Sequence, residues 1–279
     1  MTSRLHLLVL LHSQITISLA ACQRSTLQQA YDSLFQEDKP SISSLKLASN
    51  VKISSNNVAI TSLQQSPFVN YTGYAKPIRI TVLDEEKCTV AVFSAPKNVD
   101  GTTNILSTRM TLNPTGEIAE LETLQPTSLF TLPSFLPDQV NTTWTASSTA
   151  SRADIQKVIT SYPDGIALGD GKDVPVASTC TRYENGFAMP LACNGVFWLF
   201  QTNISQRRWY IDTKTGTALG NFVFDQSKYP AGLLPQLWLH EYFKVDQGKI
   251  FEIFAAMESQ YPDPIYKDIW GPKGKFGSN

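Results

Sequence analysis

The residues best suited to chemistry lie near the end of the chain, in a strand-like run at positions 239–245. Side chains alternate between the two faces of a strand. One face therefore carries His240, Tyr242 and Lys244, and the other carries Glu241, Phe243 and Val245. Because the second set is more apolar, Glu241 is predicted to be a buried carboxyl group with a raised pKa that serves as a base. The alternatives are a salt-bridged Glu241 and a base at His240, which could equally be a rim histidine.

Two further groups could polarise a carbonyl oxygen. Arg208 and Tyr210 share one face of a predicted strand, and a guanidinium beside a phenol suits an anhydride or a carboxylate. The competing interpretation is a cross-strand ion pair between Arg208 and Asp212. Arg182 is a third candidate, for which a structural pair with Glu184 is the simpler explanation.

Histidine content excludes several classes of site. Removal of an N-terminal signal would leave His240 as the last histidine, so a multi-histidine metal centre is excluded. The chain contains neither a nucleophile elbow nor a phosphate-binding loop, and Gly169-Asp-Gly171 lacks the setting of a dinucleotide site. We therefore expect chemistry without a metal or a cofactor.

The balance of 23 basic and 24 acidic residues provides no field for nucleic acid or an anionic membrane. A small molecule is the expected partner.

The elements that must position these residues occur twice. Segments 109–124 and 242–257 share an apolar run, a glycine-bearing turn, a charged residue, isoleucine and then glutamate, which is typical of a β-hairpin. Gly116 and Gly248 lie 132 positions apart, while the runs before the turn are offset by 133. In this register Thr108 corresponds to Glu241, so only the second copy has a carboxylate there. The repeat-equivalent Glu120 and Glu252 are expected to be structural.

Each copy is preceded by a helix signal, at Ser25-Thr-Leu-Gln28 and at Ser151-Arg-Ala-Asp154, and Pro163 is predicted to end the second helix. The prediction is an α+β fold of two tandem units, each a helix followed by a curved antiparallel sheet. The predicted divisions are a signal peptide at 1–20, a first unit at 21–124, a Pro/Ser/Thr-rich linker at 125–150, a second unit at 151–260 and a tail at 261–279, disordered from Gly271.

Three features indicate the secretory pathway: the signal at 1–20, four cysteines and three glycosylation acceptors at Asn70, Asn141 and Asn203. Nothing after the signal is long and apolar enough for stable membrane insertion. Among the three possible cysteine pairings, Cys180 with Cys193 closes a short loop, which stabilises by roughly 3 kcal/mol in the chain-entropy model. That choice leaves Cys22 with Cys88; free buried thiols are the alternative.

Several segments resemble known families. A helix followed by a curved antiparallel sheet is the plan of the ketosteroid-isomerase and nuclear-transport-factor-2-like (SnoaL-like) superfamily. Segments 47–57, 180–186, 208–212 and 242–250 resemble a family of secreted fungal proteins that is mostly catalogued as a domain of unknown function. Some ketosteroid-isomerase-like proteins of fungal secondary metabolism are dimerising cyclases. They join two maleic-anhydride monomers into nonadride-type (maleidride) skeletons.

The resemblance implies deprotonation of one activated monomer and its bonding to a second, with Glu241 or His240 as base and Arg208, Tyr210 or Arg182 as oxyanion partners. The leading hypothesis is therefore a secreted enzyme that transfers protons on a polyketide-derived acid or anhydride. The alternatives are a non-catalytic carrier of an apolar small molecule and a structural subunit, since this superfamily often associates through its sheets as homo-oligomers.

Overall fold

The computed structural model describes residues 22–35, 42–127, 144–189, 192–195, 202–225, 236–260, 269–270 and 275–276. The signal predicted at 1–20, the glycosylation acceptor at Asn141 and most of the linker predicted at 125–150 lie outside these ranges. The first unit, unit 1, contains α1 (Arg24–Phe35), β1 (Leu47–Ser55), β2 (Val58–Ile60), β3 (Tyr71–Asp84), β4 (Thr89–Asn98), β5 (Leu106–Leu112) and β6 (Ile118–Leu124). The second, unit 2, contains α2 (Arg152–Leu168), β7 (Val176–Glu184), β8 (Phe187–Ala188), β9 (Asn203–Asp212), β10 (Thr217–Asp225), β11 (Gln236–Asp246) and β12 (Lys249–Gln260).

The two sheets have the same topology. Sheet A runs β2-β1-β6-β5-β4-β3 and sheet B runs β8-β7-β12-β11-β10-β9. In each sheet one parallel pair, β1 with β6 or β7 with β12, joins otherwise antiparallel neighbours. In the part of the chain that the structure describes, the fold is therefore α+β, and each of two units combines one α-helix with one six-stranded sheet.

The strand registers establish which residues of the two units correspond. Thr89 pairs with Thr111 and Thr217 pairs with Lys244, which relates β3 and β4 to β9 and β10 by 128 positions. Ile53 pairs with Leu121 and Arg182 pairs with Ile253, which makes Ile53 the counterpart of Arg182. The hairpin offsets of 133 and 132 apply to β5 and β6. Thr108 is thus the counterpart of Glu241, as the repeat predicts.

Helix α2 does not end at Pro163, so the predicted end of this helix is wrong. Ser151 Oγ accepts a hydrogen bond from the Asp154 N–H, so this helix begins with the predicted cap. It continues through Pro163 to Leu168 and ends at Gly169, whose φ of 71° is left-handed. Burial of Tyr162 and Ile166 against sheet B offsets the hydrogen bond that proline removes.

Apolar residues form three cores. One lies between α1 and sheet A, and a second lies between α2 and sheet B. The third lies between the facing surfaces of the two sheets and contains side chains such as Phe93, Trp238 and Phe254. Each sheet is therefore covered on both faces, by its own helix and by the other sheet.

Reciprocal ion pairs join the units around the third core. Arg24 of α1 donates to both carboxylate oxygens of Asp212, at 2.9 and 2.8 Å. Its counterpart 128 positions later, Arg152 of α2, donates to both oxygens of Asp84 at 2.8 Å. Equivalent residues that exchange equivalent contacts are the mark of a two-fold interface. The two units therefore pair like the halves of a dimer.

Two disulfides are present, Cys22–Cys88 and Cys180–Cys193, the pairs favoured by the cysteine spacing. Such bonds persist in extracellular or secretory environments. Asn70 and Asn203 are both exposed. No helix in the described ranges is long and apolar enough to cross a membrane.

Part of the tail is ordered, in contrast to the prediction of disorder from Gly271 onward. The Phe276 ring lies 4.9 Å from that of Trp270, and its carbonyl accepts a hydrogen bond from Lys52 at 3.0 Å. Trp270 in turn donates its indole N–H to Ser54 at 2.9 Å. These contacts attach the tail to β1 of unit 1.

Candidate active site in the second unit

A row of residues crosses the helix-facing side of sheet B. Glu241 of β11 pairs with Ala255 of β12, and Ala255 pairs with Glu184 of β7. Strands are spaced about 4.8 Å apart, so the two glutamates stand roughly 10 Å apart along this row. Because the residue between them, Ala255, has a short side chain, the carboxyl groups of Glu241 and Glu184 can approach each other above it.

Arg182 supplies a cation beside this row. It precedes Glu184 by two positions on the same face of β7, and its Nε lies 3.1 Å from Glu184 Oε1. Its Nη1 donates to the hydroxyl of Tyr162, a residue of α2, at 3.2 Å. Arg182 and Tyr162 are both only 2% exposed, so helix and sheet enclose the guanidinium.

We call Tyr162, Arg182, Glu184 and Glu241 the carboxyl site. Two of its polar atoms are not satisfied by the protein: among the described residues, Glu241 Oε2 and Arg182 Nη2 are buried without a hydrogen-bond partner, while Arg182 Nε is ion-paired with Glu184. Buried polar groups are nearly always paired, so such atoms call for an explanation. A carboxyl oxygen and a guanidinium N–H at one place match a small polar ligand.

The environment changes the protonation of the carboxyl site. Burial, together with the charge of Glu184, raises the pKa of Glu241 to about 8, and Arg182 only partly opposes this shift. Burial also raises the pKa of Glu184, and Arg182 again works against the rise. At neutral pH Glu241 is therefore mainly a neutral acid.

Arg182 and Tyr162, the other two residues of the carboxyl site, both keep their protons. Burial opposes the charge of Arg182, but Tyr162 and Glu184 raise its pKa, so the guanidinium stays protonated. Burial raises the pKa of the Tyr162 phenol as well, so this hydroxyl keeps its proton. The site thus combines a neutral acid, a second carboxyl group, a fixed cation and a hydroxyl donor.

The Cys180–Cys193 disulfide begins two residues before Arg182 on the same strand. Cys180 packs against the α2–sheet B core, and Cys193 is fully buried within it. This bond anchors the strand that carries Arg182 and Glu184.

His240, Arg208 and Tyr210 lie elsewhere, between the two sheets. Arg208 donates to both oxygens of Glu122, at 3.1 and 2.8 Å, and to the Tyr210 hydroxyl at 3.1 Å. His240 Nε2 lies 3.4 Å from Glu122 Oε1, and burial lowers the pKa of His240. These three residues therefore form an inter-sheet cluster around a carboxylate of the other unit.

The five predicted catalytic residues thus separate into two groups. Glu241 and Arg182 meet in the carboxyl site, while His240, Arg208 and Tyr210 face the opposite side of sheet B. The expected Arg208–Asp212 pair is wrong, because Arg208 binds Glu122 and Asp212 binds Arg24. The expected Arg182–Glu184 pair is present.

Sequence reasoning missed Tyr162 as a site residue, because its place in a helical stripe indicated packing alone. It also missed Glu122, which pairs with Arg109 on the neighbouring strand but whose partners in the other unit are 86 positions away at Arg208 and farther at His240. For Glu184 a usable signal existed: its spacing of two from Arg182 places both on one strand face. In the described residues, no group of three or more His, Cys, Asp and Glu side chains could hold a metal ion.

Comparison with known proteins finds one family model, the domain of unknown function DUF8021, which matches residues 148–257. No curated protein matches the chain. Among solved structures, a de novo designed protein with a curved β-sheet aligns with a TM-score of 0.31 and 13% identity, covering 40% of this chain and 89% of its own. An LEH-like epoxide hydrolase from M. tuberculosis aligns with a TM-score of 0.30 and 14% identity, covering 39% and 84% respectively. The family match spans all four residues of the carboxyl site.

Proposed function

We propose that unit 2 is an acid–base enzyme that works on a small carbonyl compound without a cofactor. The observation that carries this proposal is the buried Glu241, with its pKa near 8, on the same sheet face as Arg182 and Glu184. Two carboxyl groups whose environments separate their protonation states are suited to act as an acid and a base. Nothing in packing requires such a group at this position, since threonine occupies it in unit 1.

The roles follow from protonation and position. Glu184, beside Arg182, removes a proton from a carbon whose anion is conjugated with a substrate carbonyl, and the electron pair moves to the carbonyl oxygen. Arg182 and Tyr162 donate hydrogen bonds to that developing oxyanion. Glu241, which holds its proton at neutral pH, delivers it to the product. This assignment makes Glu241 the acid, whereas its sequence context suggested a base.

The specific form of the proposal is a dimerising cyclase for maleic-anhydride monomers, as in maleidride biosynthesis. The carbanion formed by Glu184 adds to the double bond of a second monomer, which creates one carbon–carbon bond and moves the negative charge onto the second anhydride. Glu241 protonates that anion, and the proton taken by Glu184 restores Glu241, so two monomers give one dimer without a redox change. The resemblance of segments 180–186 and 242–250 to a secreted fungal, ketosteroid-isomerase-like family supports this form.

Secretion and glycosylation belong to the same proposal. The two disulfides and the exposure of Asn70 and Asn203 support a protein that matures in the secretory pathway.

Purified protein incubated with alkylidene- and alkyl-substituted maleic-anhydride monomers tests the activity, with products followed by mass spectrometry. The expected result is a product of exactly summed monomer mass, formed faster than in protein-free buffer. Saturable monomer binding without any product would contradict the enzyme and favour the carrier. The Arg182→Met variant should bind monomer and form product about 10³-fold more slowly.

A further inference from the structure

A second site lies where the units meet. A cavity of about 200 Å³ is lined by α1 and β3 of unit 1, by β9 to β11 of unit 2 and by Trp144 of the linker. At roughly 30 Å³ per water, it has room for about six waters or one small organic molecule. Lys244, which lines it, projects from the opposite face of β11 to Glu241, so this cavity is separate from the carboxyl site.

The counterpart positions across the two-fold carry larger side chains. Trp209 packs against Phe222 and Phe243, and Lys87 Nζ donates to the Trp209 carbonyl at 2.7 Å. Thr81 is the counterpart of Trp209, and Thr215 is the counterpart of Lys87. The short side chains of Thr81 and Thr215 line the cavity, where their counterpart positions hold a tryptophan and a lysine.

The polar groups that line the cavity favour a ligand that accepts hydrogen bonds. Asp212 is its one carboxylate, and its oxygens already accept from Arg24 and from the N–H groups of Leu83, Lys214 and Thr215. The indole N–H of Trp144 is buried and has no hydrogen-bond partner among the described residues.

Two cations also line the cavity. Arg24 and Lys244 each have a carboxylate partner, Asp212 for Arg24 and Glu252 for Lys244. The remaining walls include the Tyr31 ring and the apolar side chains of Ile80 and Leu83. A ligand with a flat apolar body and one anionic end would match this arrangement of groups.

We propose that this junction cavity binds a small carboxylate with a flat, unsaturated or aromatic body. The carboxylate accepts from the Trp144 N–H beside Arg24 and Lys244, and the body lies against Tyr31 and Leu83. Since the walls come from both units, the ligand also stabilises their pairing. The site does not depend on the activity proposed for unit 2, and its ligand need not be a substrate.

Benzoate is a suitable probe, with benzamide as its neutral analogue, and binding to the full-length protein is measured by titration calorimetry. Benzoate is expected to bind saturably and to raise the Tm, and benzamide is expected to bind at least about tenfold more weakly, because a charged acceptor is lost. Absence of benzoate binding, or equal binding of benzamide, would overturn the proposal.

Two variants locate the site. Thr81→Trp introduces the side chain found at the counterpart position and should abolish benzoate binding, whereas Thr179→Trp, on an exposed part of β7, should leave the Kd unchanged. Trp144→Phe keeps the ring and removes the N–H, and should weaken binding about tenfold or more. Trp270→Phe is its control, because that indole N–H binds Ser54 away from the cavity. Unchanged affinity in both Thr81→Trp and Trp144→Phe would show that benzoate binds elsewhere and would refute the site.

Discussion

The helix-facing sides of the two sheets share one backbone register and differ in chemistry. Four positions illustrate the difference, namely Leu34, Ile53, Ser55 and Thr108 in unit 1 against Tyr162, Arg182, Glu184 and Glu241 in unit 2. Unit 1 folds with an apolar core at this face and has no charged group and no phenol at these four positions. The polar residues of unit 2 are therefore not demanded by the fold. Burial of such groups costs free energy, which a function can explain.

At the interface between the two sheets, in contrast, equivalent residues of the two units make equivalent contacts. The ion pairs Arg24–Asp212 and Arg152–Asp84 are the same contact made twice by equivalent residues. Duplication thus separates residues that both units need from residues that only one unit uses. Variants made in matched pairs, one in each unit, measure that separation directly.

The largest difference in turnover between matched variants is expected at the guanidinium of Arg182. Arg182→Met removes the oxyanion donor and should lower turnover by about 10³-fold, while Ile53→Met at the counterpart should leave turnover within about twofold. Initial rates on an accepted monomer provide the measurement. Equal losses in the two variants would mean that the effect is structural.

The second difference concerns pH and stability. Because folding raises the pKa of Glu241 from 4.5 to about 8, the folded state binds more protons than the unfolded state in this range. The stability that the neutral acid contributes is fully present below about pH 4.5 and is lost as pH rises through 8. Glu241→Gln should therefore gain a few kcal/mol of stability relative to wild type between about pH 5 and 9.

Urea unfolding at several pH values measures this gain. Thr108→Val, the matched variant in unit 1, should show a stability difference from wild type that does not depend on pH. A pH-independent difference for Glu241→Gln as well would mean that folding does not raise the pKa of Glu241.

The third comparison tests the two-fold itself. Asp84→Asn and Asp212→Asn each leave an arginine without its bidentate partner, and each should destabilise the protein by roughly 3 kcal/mol. Chemical denaturation should give values for the two variants that agree within about 1 kcal/mol. A large effect of one substitution with no effect of the other would show that the interface is not reciprocal.

The smallest effects are expected at Glu120 and Glu252. Each is partly exposed and pairs with a buried cation, Arg109 or Lys244 respectively. Glu120→Gln and Glu252→Gln should each cost about 1 kcal/mol or less and should leave turnover unchanged. A strong loss of turnover in either variant would assign it a role beyond structure.

Local patterns predicted a good part of this structure. Alternation along 239–245 separates the Glu241 face from the His240 face because the strand period is fixed at two. The repeat identifies Thr108 as the counterpart of Glu241 because equivalent hairpins keep their register.

Long-range packing could not be predicted in the same way. The Arg208–Glu122 contact depends on how one sheet lies against the other, and neither strand carries that information. Helix α2 passes Pro163 because tertiary burial outweighs local preference. The junction cavity is lined by Thr81 and Thr215, whose short side chains stand out only when they are compared with their counterparts, Trp209 and Lys87.

The central claim is that unit 2 alone carries the working acid–base pair. The most direct test is catalysed exchange of the acidic carbon-bound proton of a substituted maleic anhydride, or of its ring-opened acid, followed by NMR in deuterated buffer at pH 7. We predict that Glu184→Gln, which removes the base, lowers the exchange rate by at least about 10²-fold, while Ser55→Ala at the counterpart retains the wild-type rate. Wild-type exchange by Glu184→Gln, or equal losses in the two variants, would contradict the account.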